Sequence, residues 1–83
     1  MVNKCKVTKK DGNWTTLKCG TKIVQVKHFS EPSNYGIKRG KISKLWIRDM
    51  KTKKDLVNYD RGWDIMPKKE VKTIYNKILK EYN

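Results

Sequence analysis

Residues 42–67 read ISKLWIRDMKTKKDLVNYDRGWDIMP. Apolar and polar residues alternate, a lysine-rich turn interrupts them, alternation resumes, and a Gly-containing corner leads to a proline. A period of two belongs to a strand with one buried face, so this stretch specifies a hairpin. Pro67 suits the first position of a helix, where its missing N–H costs nothing. Beyond it Val71, Ile74, Tyr75, Ile78, Leu79 and Tyr82 fall on one apolar stripe, with Lys69, Lys72, Asn76 and Lys80 opposite. That stripe requires a sheet to cover.

The remaining segments supply one. Residues 3–9 alternate, Asp11-Gly12-Asn13 is a turn signal, and 14–19 alternate again. A three-residue loop there sets Val7 opposite Leu17 and Cys5 opposite Cys19. After Gly20, residues 21–29 form a third strand. Val24 and Val26 point one way, and Ile23, Gln25, Lys27 and Phe29 the other. Residues 30–41, SEPSNYGIKRGK, are a loop. Strands at 42–50 and 55–60 follow, with the turn centred on Thr52 and Lys53. The expected fold is a single α+β domain over residues 1–83: an antiparallel meander of about five strands with one C-terminal amphipathic helix packed on one face.

At 83 residues the chain buries only roughly 60 to 65% of its unfolded surface, which leaves little room for an enclosed catalytic cleft. No apolar run approaches the ~18 residues of a membrane span, and MVNKCKVTKK has no signal-peptide core. A cytoplasmic protein without membrane association is expected; the cross-strand Cys5 and Cys19 come within disulfide range but are read as small buried thiols. The net charge of +13 predicts attraction to polyanions. Eighteen of the 21 basic residues are Lys, however, a usage that also serves as a generic solvated surface.

Strand parity divides the sheet into two faces. The turn centre pairs Arg48 with Val57, Trp46 with Tyr59 and Lys44 with Arg61. Leu45, Ile47 and Leu56 then join Val7, Leu17, Val24 and Val26 under the helix. The other face carries Trp14, Lys18, Ile23, Lys27, Phe29, Lys44, Trp46, Arg48, Tyr59 and Arg61. Aromatic rings interleaved with cations suit unpaired bases and phosphates. The same set also serves as a second small core under the 30–41 loop, or as a protein-binding face, where Trp, Tyr and Arg are enriched.

Catalytic and metal signatures are missing. His28, Cys5 and Cys19 match no closed zinc spacing, and His28 shares the parity of the buried valines. Asp60 and Asp64 bracket a corner and are read as partners of Arg61 or of backbone N–H groups before a magnesium site. Residues 36–40 (GIKRG) lack the ending and strand-to-helix setting of a P-loop. No enzyme and no cofactor is expected.

The runs 32–37 (PSNYGI), 40–47 (GKISKLWI) and 58–64 (NYDRGWD) resemble a family of small uncharacterised proteins from Gram-positive bacteria and their phages. The resemblance covers a little under half of the chain, and the N-terminal hairpin shares least in it. It implies a phage or mobile-element setting and no activity. The leading expectation is a non-enzymatic basic protein that engages nucleic acid or a host nucleoprotein complex, as a monomer or homodimer. The candidate contacts are Lys38, Arg39, Lys41, Lys44, Trp46, Arg48, Tyr59, Arg61 and Trp63. The alternative is a protein–protein inhibitor or adaptor, such as an anti-CRISPR-like, phage-encoded blocker of a host defence nuclease.

Overall fold

The computed structural model describes residues 5–83. Over them the chain forms β1 (Cys5–Asp11), β2 (Trp14–Cys19), β3 (Lys22–His28), β4 (Ile42–Asp49), β5 (Asp55–Asp60), β6 (Trp63–Ile65) and α1 (Lys72–Tyr82). The strands make one antiparallel sheet in chain order, β1 to β6. The architecture is therefore the α+β meander with a C-terminal helix, built among the described residues from six strands instead of about five. Residues 3 and 4 of the expected first strand lie outside the described part.

The added strand arises at the YDRGWD corner. Arg61 adopts a φ of 57°, and the Asp60 N–H donates to the Gly62 carbonyl at 2.9 Å. The chain thus reverses in two residues and returns along β5, with Tyr59 opposite Trp63. The helix also begins later than Pro67: a 3₁₀ turn at Lys69–Val71 precedes α1.

One core lies between the sheet and α1. Leu17, Cys19, Val24, Val26, Leu45, Ile47, Val57 and Tyr59 from the strands meet Val71, Ile74, Tyr75 and Ile78 from the helical end. The expected helix stripe is the one used. Its Lys69, Lys72, Asn76 and Lys80 side is exposed. The 30–41 loop adds Ile37 to this same core. It therefore folds over the helix side, and among the described residues it builds no second core over Trp46.

Two pairing details decide the faces. In the β1–β2 hairpin the turn is only Gly12-Asn13, with Gly12 at φ 62°. A bulge between Val7 and Lys9 restores the extra residue, so Val7 still meets Leu17 and Cys5 still meets Cys19. Val7 nevertheless stays 43% exposed, a correction to its expected place in the core. It sits on the edge strand, whose burial pattern shows no covered side. The cysteines are joined as a disulfide and are not free thiols.

In the β4–β5 hairpin the register is one residue away from expectation. Asp49 organises the turn. Its Oδ1 accepts the Lys51 and Thr52 N–H groups at 2.8 and 3.2 Å, and its N–H donates to the Lys54 carbonyl at 2.9 Å. Lys53 takes a φ of 59°. Together with a bulge at Leu56, this pairs Leu45 with Tyr59, Trp46 with Asn58 and Lys44 with Asp60. A one-residue slip exchanges the faces of a strand. Tyr59 and Val57 therefore enter the core. Arg61 leaves the strand, and Leu56 is half-buried at its bulge.

Candidate nucleic-acid interface

The face that α1 leaves open is a lattice set by the registers. Across β2, β3, β4 and β5 one row reads Trp14, Lys27, Lys44, Asp60, and the next reads Thr16, Gln25, Trp46, Asn58. A third reads Lys18, Ile23, Arg48, Asp55. Strand β1 extends these rows with Asp11, Lys9 and Lys6. Trp14 and Trp46 are both half-buried, seated among neighbours with part of each side chain in solvent.

Cations hold the rings. Lys27 Nζ lies 6.0 Å from the Trp14 ring centre and 5.6 Å from that of Phe29. The Arg48 guanidinium carbon lies 6.0 Å from the Trp46 ring. The Trp14 and Trp46 distances fall at the limit of cation–π attraction, and that to Phe29 lies just inside it. Trp46 is further fixed because its Nε1–H donates to Asp55 Oδ1 at 3.0 Å. This leans Trp46 toward β5 and away from Trp14. Between the two rings lies a concavity of about 300 Å³ lined by Trp14, Gln25, Lys44, Trp46, Asn58 and Asp60, together with Leu45 and Tyr59. A second of about 220 Å³, lined by Lys9, Asp11, Trp14, Thr16 and Gln25, adjoins it across Trp14.

Among the described residues the acids on this face are Asp11 beside Trp14, Asp55 and Asp60, fewer than the cations of the same rows. Asp60 Oδ1 lies 3.6 Å from Lys44 Nζ and 3.9 Å from Arg61 Nε. Asp55 serves Trp46. The lysines and Arg48 therefore dominate the potential over the rings.

Of the residues expected at the site, Lys44, Trp46 and Arg48 stand together here. Arg61 sits at the rim, beside a hollow of about 310 Å³ shared with Phe29, Tyr35 and Lys44. Tyr59 borders the concavity, but its ring and hydroxyl turn to the helix side. It is 7% exposed, and its hydroxyl donates to the Tyr35 carbonyl at 2.7 Å. Trp63 packs edge-on to Tyr59 at 4.9 Å and lies 5.8 Å from Tyr75, on the helix side. Lys38, Arg39 and Lys41 are exposed on the loop that Ile37 ties to the helix layer, apart from the Trp46 lattice. Gln25 and Asn58 were not among the expected contacts. The parity of Gln25 was readable, whereas Asn58 was hidden by the register.

His28 stays on the core side at the end of β3. Its Nε2 lies 3.3 Å from the Thr15 hydroxyl, and its ring lies 4.8 Å from Tyr82. Burial and then the Lys10 charge hold its pKa below the ordinary value. Among the described residues no cluster of His, Cys, Asp or Glu is placed to hold a metal ion. No helix there is long and apolar enough to cross a membrane.

Residues 10–83 match the family model of a domain of unknown function (DUF7678). The chain belongs to this family. The matched span contains every row of the open face from β2 to β5, and it leaves out Cys5 to Lys9 of β1. No curated protein and no solved structure matches the chain. The family carries no assigned chemistry, so the lattice itself has to support any functional reading.

Proposed function

We propose that this member of DUF7678 is a non-enzymatic binding protein that engages nucleic acid, free or within a nucleoprotein complex, through the open sheet face. One observation carries the reading. Lysines are spread over the whole molecule, including the outer side of α1, but tryptophans interleave with Lys27, Lys44 and Arg48 only on the face that the helix leaves bare. Charge supplies attraction to phosphates anywhere on the surface, whereas stacking requires accessible rings. Both coincide on one surface. A cytoplasmic, phage or mobile-element setting is part of the same proposal.

The test is binding of a short labelled oligonucleotide at low and at physiological salt. Lys27→Ala/Lys44→Ala is compared with the helix-side control Lys72→Ala/Lys80→Ala. The sheet-face pair should weaken binding and flatten its salt dependence, and the control should do much less. Equal effects of the two pairs would reduce the interaction to diffuse charge.

A second reading has its own observation. The far end of the open face is apolar. A groove of about 430 Å³ is lined by Lys18, Gly20, Thr21, Ile23, Met50 and Lys51, and Met50 is 51% exposed. A host protein that normally holds nucleic acid would meet this end with an apolar contact and the lysines with its acidic groups, as an inhibitor requires. Retained binding to such a protein with no affinity for free strands would favour this reading over the first.

A further inference from the structure

The geometry points to an unpaired strand, bound in extended form with separate bases on Trp14 and Trp46, as the ligand of the open face. This rests on the proposed nucleic-acid reading and narrows it. Trp14 is on β2 and Trp46 on β4, two strands across and two residues apart along the strands. Strand spacing and rise place their Cα atoms roughly 12 Å apart. Within a duplex, successive bases rise only about 3.4 Å, and their π-faces are covered by each other. No pair of neighbouring stacked bases meets both rings. A single strand with its bases splayed does.

The groups between and beside the rings fit that ligand. Lys27 and Lys44 share the row of Trp14 and meet the backbone. Thr16, Gln25 and Asn58 flank Trp46 in its own row. An amide both donates and accepts, so Gln25 and Asn58 suit the exposed edge of any unpaired base. Those edges are consumed by pairing in a duplex. Asp55 holds Trp46 away from Trp14, which keeps the concavity between them open. The aromatic Phe29 and Tyr35 with Arg61 continue the same chemistry beyond Trp14 and Lys44.

The experiment titrates the full chain with an 8-nucleotide single strand and with a hairpin duplex of similar phosphate count, reading label anisotropy and tryptophan fluorescence. The single strand should bind about tenfold tighter or more and quench tryptophan emission. Trp14→Ala and Trp46→Ala should each weaken single-strand binding roughly 5- to 150-fold and leave duplex binding unchanged. The Phe variants at these positions should recover part of the loss. Far-ultraviolet circular dichroism identifies any variant that has lost the fold. Duplex binding as tight as single-strand binding, with no quench, would overturn the platform while leaving phosphate binding standing. No binding of either at low salt would overturn both.

Discussion

The side chain of Asn83 fills the space that a Cβ on Gly40 would need. From there its Oδ1 accepts the Ile42 N–H at 3.1 Å, and its Nδ2 donates to the Ile37 carbonyl at 3.1 Å. One amide thus joins the end of α1, the 30–41 loop and the start of β4. Asn83→Ala removes the acceptor of the part-buried Ile42 N–H, a loss of about 1 to 3 kcal/mol for such a group, while the Ile37 carbonyl keeps the Gly40 N–H at 2.8 Å. Gly40→Ala should cost a similar amount by expelling the same side chain. The double variant should then be less destabilised than the sum, because both changes remove one arrangement. Gly36→Ala should behave differently: its Cβ would overlap the Gly40 carbonyl and lie 3.1 Å from the Ile42 carbonyl oxygen, and truncating Asn83 does not move backbone. Denaturant unfolding of the four variants checks this.

The Cys5–Cys19 bond fastens the edge strand β1 to β2. With a separation of 14 residues, closing such a loop stabilises a fold by about 3 kcal/mol in the chain-entropy account. Reductant should lower the melting temperature of the wild type by roughly 12 to 24 °C for a domain of this size. Cys5→Ser/Cys19→Ser should show the lowered value with no further response to reductant. Single-strand binding should survive in whatever fraction stays folded, because Lys27, Lys44 and Trp46 lie on β3 and β4, which the bond does not touch, and Trp14 lies at the opposite end of β2 from Cys19.

Tyr59 and Trp46 separate fold from binding. Tyr59→Phe removes the hydroxyl that donates to the Tyr35 carbonyl and should cost about 1 kcal/mol of stability, with unaltered oligonucleotide affinity in the folded protein. Trp46→Ala should do the reverse, weakening binding far more than it changes the unfolding midpoint. Parallel thermal melts and anisotropy titrations distinguish the two.

That pair also marks where the chain was legible from its residues. Alternation gave the strands, the faces of β2, β3 and β4, and the stripe of α1, because each is a local periodicity read against one buried side. The face of β5 was not legible. It depends on whether the β4–β5 turn closes through Thr52-Lys53 or through the Asp49 carboxylate, and on a bulge at Leu56. The turn sets Arg48 opposite Asp55, two residues from the expected Val57, and the bulge at Leu56 gives one residue back; the net slip of one turns Tyr59 inward and Asn58 outward. β6 was missed for a related reason. A three-residue strand carries no period of its own and exists because Arg61 and Gly62 reverse the chain against β5.

Acid should loosen the fold through His28. Burial, and then the positive charge of Lys10, lowers its pKa from the ordinary value of 6.5. Between that value and the lower folded one, the unfolded chain binds the proton more readily, so stability is full above about pH 6.5 and declines as pH falls below it. The Thr15 hydroxyl lies 3.3 Å from Nε2, and a protonated Nε2 leaves it only the acceptor role in that contact. Asp49 adds a second loss at lower pH. The Lys51 and Thr52 N–H groups hold its carboxyl below the ordinary value of 3.8, and its contribution disappears as pH falls through the folded pKa. His28→Gln should remove the decline that starts near pH 6.5 and leave the more acidic one, as read by chemical unfolding from pH 8 to pH 3.

Asp60 restrains the binding face. Its Oδ1 stands 3.6 Å from Lys44 Nζ and 3.9 Å from Arg61 Nε, so one carboxylate draws on two cations that the proposed ligand needs and repels the incoming phosphates. These are exposed pairs and contribute about 0 to 1 kcal/mol to stability. Asp60→Asn should therefore leave the melting temperature nearly unchanged and tighten single-strand binding. It should also steepen the dependence of log K on log salt by up to about 0.7, the contribution of one more neutralised phosphate on a single strand. Asp55→Ala tests the other carboxylate and should act oppositely. It removes the acceptor that fixes the Trp46 ring, so affinity should fall even though a negative charge has left the same face. Affinity rising equally in both variants would mean that only net charge governs the interaction and that the position of Trp46 does not.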